Sequence, residues 1–175
     1  WHNASSTPGS ILVYGCDMHR VKNFYNELAQ GKLVLAFQPV VWMPDSDRVL
    51  YQEGLLRHID ASGEGVYPLV MLEQLQSMRE LDRSVVGCVI ERLLQNEHLR
   101  LGCNISAQSA IIDPFWHSIL AQLRETPSVA ARLVIEITES ATPPSTSAAI
   151  EFVLCLRELG CRVAIDDFGA GLGTL

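Results

Sequence analysis

Apolar and polar residues follow a helical period near the start of the chain and then fall into two extended runs. Apolar side chains recur at helical spacing from Met18, and Gly31 offers a C-terminal stop, which together predict a helix between them. Residues 33–41 and 49–56 are rich in apolar and branched side chains and predict two strands separated by a turn. No helix fits between these two strands, so we expect them to pair antiparallel.

From residue 49 onward, predicted strands alternate with predicted helices. Asp82 and Asp113 are predicted N-caps, and Gly160 is a predicted helix stop. This alternation is typical of a parallel sheet whose strands are joined by helical crossovers. The predicted helices cover residues 68–81, 114–123 and 147–159, with a further helix after Asp82 that carries Val85, Val89 and Leu93; the later predicted strands cover residues 101–106, 133–138 and 162–166.

Each predicted parallel strand carries a polar residue that its apolar neighbours do not explain. These residues are Glu53, Asn104, Glu136 and the adjacent pair Asp166 and Asp167. A single carboxylate in an apolar strand has an ordinary explanation, such as an edge position or an ion pair, but here four consecutive strands share the feature. An ionised carboxylate in a protein interior destabilises the fold by several kcal/mol unless it is compensated.

Arginine side chains do not supply this compensation. Arg100, Arg132 and Arg162 lie at the starts of their strands, which leaves Arg57 alone near the C-terminal ends. Carboxylates and an amide carbonyl form a hard oxygen ligand set that suits Mg²⁺ or Mn²⁺. Ligands from the ends of successive parallel strands are typical of the active face of a TIM (β/α) barrel. The residues therefore predict a metal-dependent enzyme built on a barrel.

Five short segments follow one another along the chain in a specific combination. They are Gln38-Pro39, Glu53-Gly54-Leu55-Leu56-Arg57, Asn104-Ile105-Ser106-Ala107, Glu136-Ile137-Thr138-Glu139-Ser140 and Asp166-Asp167-Phe168-Gly169-Ala170-Gly171. Together they resemble the EAL-domain family of cyclic di-GMP phosphodiesterases, from about residue 33 to the end of the chain. The family's name-giving Glu-Ala-Leu reads Glu53-Gly54-Leu55 here, and we expect this change to be tolerated because the glutamate is the ligand.

The resemblance implies a set of metal ligands. Glu53, Asn104, Glu136 and Asp166 match the family's ligands, and Asp167 matches the carboxylate that serves a second metal ion. The implied cofactor is Mg²⁺ or Mn²⁺. The implied reaction is in-line attack of an activated water on one phosphodiester of cyclic di-GMP, which gives linear pGpG.

The resemblance also implies roles outside the metal ligands. Glu139 matches the glutamate that holds the following loop, residues 167–173, in its working shape, and it joins Glu53 and Asp167 as an implied catalytic residue. Arg57 and Gln38 match positions that contact the dinucleotide. These positions define the substrate side of the implied site.

The implied fold is α/β, a modified TIM barrel with one antiparallel strand, and it is incomplete in this chain. We expect residues 1–17 to be a linker or the remnant of an upstream module, and residues 18–175 to be the N-terminal two-thirds of the barrel domain. The family's later catalytic Lys, a further ligand Glu and a late Gln have no counterpart in these residues. We therefore expect the isolated fragment to hydrolyse little or no substrate.

Two alternatives to an active phosphodiesterase stay open. A degenerate EAL module would bind cyclic di-GMP or a protein partner without hydrolysing the dinucleotide. A different metal-dependent barrel enzyme would share these motifs by coincidence. A Lys and a Glu in residues after Leu175 would distinguish the active enzyme from the degenerate module, and the identity of the bound ligand distinguishes the third hypothesis.

The composition and charge of the chain exclude some classes of binding partner. The formal charge of −7 argues against a nucleic acid polymer as ligand, whereas one cation or one arginine can still bind a single phosphorylated molecule. No apolar run is long enough to cross a membrane, no signal peptide is recognisable, and the five cysteines form no CxxC pair, so we expect a cytoplasmic protein or the cytoplasmic part of a larger one. The expected partners are cyclic di-GMP, a second copy of the chain, and an upstream GGDEF or sensor domain.

Overall fold

The computed structural model describes residues 33–43, 45–58, 78–138 and 142–166 of the 175-residue chain. Several expectations concern residues outside these ranges: the helix expected after Met18, most of the helix over residues 68–81, the carboxylates of Glu139 and Asp167, and the loop 167–173. Within the described residues, no helix is both long and apolar enough to cross a membrane.

The first two strands form the antiparallel pair that the sequence predicts. Strand β1 covers Leu33–Trp42 and strand β2 covers Asp45–His58. Gln38 pairs with Glu53 in their register, and the pairing becomes irregular after Val40. Strand β2 begins four residues before the predicted start, in the polar segment that we expected to form the turn.

Helices and parallel strands alternate after this pair, as the apolar pattern predicts. The five strands lie in the order β1-β2-β3-β4-β5, and all pairs from β2 to β5 are parallel. The sequence's prediction of an α/β fold with one antiparallel strand is confirmed. The elements after β2 are helix α1 (Met78–Gln95), strand β3 (Leu101–Ser106), a 3-10 turn (Ala107–Ser109), helices α2 (Pro114–Glu125) and α3 (Pro127–Ala130), strand β4 (Leu133–Thr138), helix α4 (Thr146–Glu158) and strand β5 (Arg162–Asp166).

Asp82 does not start a helix, so that part of the prediction is wrong. Helix α1 runs through this position without a break, and the Asp82 side chain is buried. Its carboxylate accepts hydrogen bonds from the backbone N–H of Ser106 at 2.9 Å and from the hydroxyl of Ser109 at 2.6 Å. Asp82 therefore stabilises the turn that follows β3, a role that its local sequence does not reveal.

The caps of the other two long helices agree with the sequence. The Asp113 side chain accepts a hydrogen bond from the backbone N–H of Trp116 at 3.0 Å, with proline at the first turn of α2. Gly160 follows the end of α4 with a φ of 92°, a conformation that glycine adopts without steric penalty.

Helices cover one face of the sheet and form the core with it. Successive side chains along a strand point to opposite faces, so Cys103, Ile105 and Ile135 meet the helices while the residues between them face the other way. Trp116 and Phe152, both fully buried, pack edge to face with ring centroids 4.6 Å apart. The second face of β2 to β5 carries the polar residues that the sequence singles out.

Candidate metal and phosphodiester site

Four polar side chains from four neighbouring strands meet on the second face of the sheet. Glu53 lies on β2, Asn104 on β3, Glu136 on β4 and Asp166 at the end of β5, each in the C-terminal half of its strand. Each of the three carboxylates offers an oxygen atom, and these three atoms lie within 4.8 Å of one another. The structure thus brings together carboxylates that are far apart in the sequence.

Asn104 links the first carboxylate to the next strand. Its side-chain Nδ2 donates a hydrogen bond to Oε1 of Glu53 at 2.6 Å. This bond fixes the amide so that its carbonyl oxygen, Oδ1, is buried, and Oδ1 has no hydrogen-bond partner among the described residues. A buried carbonyl oxygen without a donor is an acceptor that a hydrogen-bond donor or a cation can satisfy.

Glu136 is the most buried carboxylate of the cluster, with 6% of its surface exposed. Its pKa is raised from 4.5 to about 7, first by burial and then by the negative charges of Glu53 and Asp166, while the Tyr51 hydroxyl opposes these effects. Its Oε1 atom is also buried without a hydrogen-bond partner in the described ranges. No arginine or lysine forms an ion pair with Glu136 in this part of the chain.

These oxygen atoms are suitable ligands for a divalent cation. Carboxylate and amide oxygens are hard ligands, and such ligands suit Mg²⁺, Mn²⁺ or Ca²⁺. The two unpartnered oxygen atoms, Oδ1 of Asn104 and Oε1 of Glu136, are the acceptors that a cation would satisfy. The same cation would offset the repulsion that raises the pKa of Glu136.

The residues expected to contact substrate lie on the same face but outside the carboxylate cluster. Gln38 is exposed and directly opposite Glu53 in the β1–β2 register. Arg57 follows Glu53 by four residues on β2, so it shares that face, and its exposed guanidinium donates from Nη1 to the carbonyl of Leu56 at 2.9 Å. Asp167 and Glu139, the other two expected site residues, lie outside the described residues.

Two residues of the site escaped the sequence analysis. Tyr51, two positions before Glu53 on the same face, is half-buried, and its pKa is raised first by burial and then by the charge of Glu136. Gly102, two positions before Asn104, leaves space in which the Tyr51 ring and Glu136 both pack. A glycine inside an otherwise apolar strand signals such a close approach, and it is the one sequence feature that could have revealed this contact.

Fold and site together define a barrel-type α/β domain with an acidic cluster at the C-terminal ends of its strands. Comparison with known proteins identifies the family. Residues 21–175 match the EAL domain, and the chain belongs to the EAL domain family.

Known relatives and structures agree with this assignment. The chain is 25% identical over 164 residues to the probable cyclic di-GMP phosphodiesterase PdeI of Escherichia coli, covering 88% of this chain and 21% of that protein. The structure of Vibrio cholerae LapD, an S helix-GGDEF-EAL protein bound to c-di-GMP, superposes with a TM-score of 0.72 at 22% identity, over 91% of this chain and 39% of LapD. The Bacillus subtilis YkuI protein, with an EAL domain in complex with c-di-GMP and calcium, gives a TM-score of 0.63 at 20% identity, over 86% of this chain and 39% of YkuI.

These matches extend over only part of each relative. The chain spans about one fifth of the length of the curated relatives it matches first. The structural likeness, at these low identities, defines the fold.

Proposed function

We propose that this chain is part of a phosphodiesterase that hydrolyses cyclic di-GMP to linear pGpG with Mg²⁺ or Mn²⁺. The observation that carries the proposal is the convergence of Glu53, Glu136 and Asp166, whose carboxylate oxygens lie within 4.8 Å in a chain of the EAL domain family. The name of the relative PdeI, and the dinucleotide and calcium in the YkuI structure, support the choice of substrate and of a divalent cation.

In this proposal, the ligands of the cation are Glu53, Asn104, Glu136 and Asp166, and Asp167 serves a second cation. Bound divalent cations supply charge stabilisation to a phosphoryl group and lower the pKa of a water molecule. The protein's own contribution is rigid placement, because each ligand projects from a strand of one hydrogen-bonded sheet. Asn104 has two tasks, since its amide nitrogen orients Glu53 while its Oδ1 stays free for the cation.

Glu139 and Asp167 complete the proposed catalytic set with Glu53. Their assignment rests on the match of Glu136-Ile137-Thr138-Glu139-Ser140 and Asp166-Asp167-Phe168-Gly169 to the family. Glu139 holds the loop after β5, and Asp167 adds a carboxylate immediately after Asp166. We expect loss of either side chain to reduce turnover more than it reduces the stability of the sheet.

Gln38 and Arg57 are the proposed substrate-binding residues. Both are exposed on the face that carries the carboxylates, so a dinucleotide bound above the cluster can reach them. The guanidinium of Arg57 is held at one nitrogen by the carbonyl of Leu56, which leaves its other nitrogen atoms for a phosphate or a guanine edge. A positive charge at this position would attract a phosphate although the chain as a whole carries a formal charge of −7.

The wider assembly is part of the same proposal. Residues 1–17 act as a linker or the remnant of an upstream module, and residues 18–175 belong to the barrel domain. We propose a cytoplasmic location, a homodimer, and an upstream GGDEF or sensor domain; the S helix-GGDEF-EAL arrangement of LapD supports the last of these.

The test is product analysis with the complete protein. Wild-type protein incubated with cyclic di-GMP and Mg²⁺ or Mn²⁺ is expected to release pGpG, and Glu53→Gln is expected to release none. Glu91→Gln, an exposed carboxylate of α1 away from the cluster, is the matched control and is expected to keep full turnover. Tight binding of cyclic di-GMP without any product would support the receptor alternative, and absence of binding would support a different metal-dependent enzyme.

A further inference from the structure

Tyr51 lies beside the proposed metal ligands without being one of them. It is on the same face of β2 as Glu53 and opposite Val40 of β1. Its side chain is half-buried. Glu136 belongs to β4, and strand β3 lies between the two residues. Since neighbouring strands are roughly 4.8 Å apart, a side chain must cross about 10 Å to connect β2 with β4.

Gly102 of β3 makes this crossing possible. A Cβ atom placed on residue 102 would lie 2.6 Å from Oε1 of Glu136, and 2.6 Å and 2.9 Å from Cε2 and Cδ2 of the Tyr51 ring. All three distances are shorter than a Cβ atom tolerates, so any other residue at position 102 would displace both side chains. The Tyr51 ring and the Glu136 carboxylate therefore share the space that the missing side chain of Gly102 leaves open.

The Tyr51 side chain limits where the Glu136 carboxylate can go. Negative charges on Glu53 and Asp166 push Glu136 away from the cluster. Oε1 of Glu136 and the Tyr51 ring both lie over Gly102, so the ring occupies space into which the carboxylate could otherwise move. The Tyr51 hydroxyl also lies close enough to the Glu136 carboxylate for each group to shift the pKa of the other, while Oε1 of Glu136 has no hydrogen-bond partner in the described ranges.

We propose that Tyr51 is a positioning residue that, together with the gap at Gly102, holds the Glu136 carboxylate against the repulsion of its neighbours in the place where it binds a divalent cation. The inference rests on the proposed metal site and adds a residue to it. Tyr51 acts through Glu136 and touches neither cation nor substrate. Groups that orient metal ligands in this way typically change metal affinity by about 10- to 100-fold when they are removed.

The test measures Mn²⁺ binding by titration calorimetry, with Mn²⁺ alone and the complete protein. Tyr51→Leu is expected to weaken Mn²⁺ binding by about 10- to 100-fold. Tyr51→Phe keeps the ring and loses only the hydroxyl, so its affinity is expected to lie between those of the wild type and of Tyr51→Leu.

Phe37→Leu is the matched control. Phe37 is also a half-buried aromatic residue, on the neighbouring strand β1, but its ring lies near Gly54 and under Arg92 on the helix-covered face. Both leucine variants are expected to lower the thermal unfolding temperature in EDTA. Only Tyr51→Leu is expected to change Mn²⁺ affinity, which separates positioning from a general loss of stability.

A double-mutant cycle tests the shared space without any metal. In EDTA, Gly102→Ala is expected to destabilise the protein more when residue 51 is tyrosine than in the background of Tyr51→Leu, because the shorter side chain leaves room for the added methyl group. Additive effects would show that the ring and the gap at Gly102 are independent and would overturn the inference.

The outcomes for the inference and for the metal site differ. Wild-type protein that binds no Mn²⁺, or Glu136→Gln protein that binds it unchanged, would contradict the proposed metal site and the inference with it. If wild type binds Mn²⁺ and Glu136→Gln does not, but Tyr51→Leu binds within twofold of wild type, the metal site stands and the positioning role of Tyr51 is wrong.

Discussion

Replacing Glu136 with glutamine should stabilise the metal-free protein at alkaline pH. Glu136 is buried beside two other carboxylates, and its raised pKa shows that the folded state resists its ionisation. Glutamine has the same shape, carries no charge and can donate hydrogen bonds to Glu53 or Asp166. The substitution therefore removes a repulsion that only a bound cation would otherwise offset.

The size of the effect follows from the pKa of Glu136, which is 4.5 in an unperturbed glutamate and about 7 in the folded protein. Below pH 4.5 the group is protonated in both states and makes no difference to stability. Between pH 4.5 and 7 the unfolded state loses its proton first, so the free energy of unfolding falls as the pH rises. Since each pH unit is equivalent to about 1.4 kcal/mol, the full loss above pH 7 is about 3 kcal/mol.

Urea unfolding of the complete protein in EDTA, at pH 5 and pH 8, measures this difference. Wild type and Glu136→Gln are expected to differ by less than about 1 kcal/mol at pH 5, and the variant is expected to be more stable by about 3 kcal/mol at pH 8. Glu91→Gln, which changes an exposed carboxylate of α1, is the control and is expected to follow wild type at both pH values. A variant that is less stable than wild type at pH 8 would show that Glu136 belongs to a stabilising ion pair, and would refute the reasoning.

Two further substitutions test the packing around the site by the same unfolding measurement. A Cβ on Gly54 would lie 3.2 Å from the carbonyl oxygen of Gly102, so Gly54→Ala is expected to change the free energy of unfolding by less than about 1 kcal/mol. Gly54→Val adds more volume and is expected to destabilise the protein by about 1–3 kcal/mol. Equal effects of the two substitutions would contradict this packing. Asp82→Ala removes the acceptor of the Ser106 N–H and the Ser109 hydroxyl, so it is expected to destabilise the protein by about 1–3 kcal/mol. Unchanged stability would show that the turn does not need this carboxylate.

The later strands could be predicted closely because their sequence pattern is local. Strands β3, β4 and β5 begin and end where the sequence indicates, since each is a short apolar run bounded by polar residues. One polar residue per strand also predicted where the side chains meet. Parallel pairing places the same ends of the strands together, so that conclusion needs no three-dimensional information beyond the alternation of elements.

The absence of a contact between Arg132 and the carboxylate cluster could also be predicted from its position in the sequence. It begins β4 at the end opposite to the carboxylates, and the sequence excluded it as their partner. In the structure its guanidinium donates to the carbonyl oxygens of Leu93, Asn96 and Leu99 at 2.7–2.9 Å, at and just after the C-terminal end of α1. The carboxylate cluster therefore receives no charge from this residue.

Contacts between distant parts of the chain could not be predicted in the same way. Asp82 has the residue type of an N-cap, but its hydrogen-bond partners lie 24 and 27 residues further along the chain. The local sequence around Asp82 does not indicate these contacts. Tyr51 and Glu136 meet across β3 only because residue 102 is glycine. Neither contact produces a periodic sequence pattern, and the glycine at position 102 is the one local sign of the second contact.

The most direct test of the account is the location of Mn²⁺ by anomalous diffraction in crystals of the complete protein soaked with Mn²⁺. The account predicts an anomalous peak in contact with the carboxylates of Glu53, Glu136 and Asp166 and with Oδ1 of Asn104, and loss of that peak in Glu136→Gln crystals. Mn²⁺ that binds elsewhere, or a cluster that stays without Mn²⁺ at concentrations that support hydrolysis of cyclic di-GMP, would contradict it.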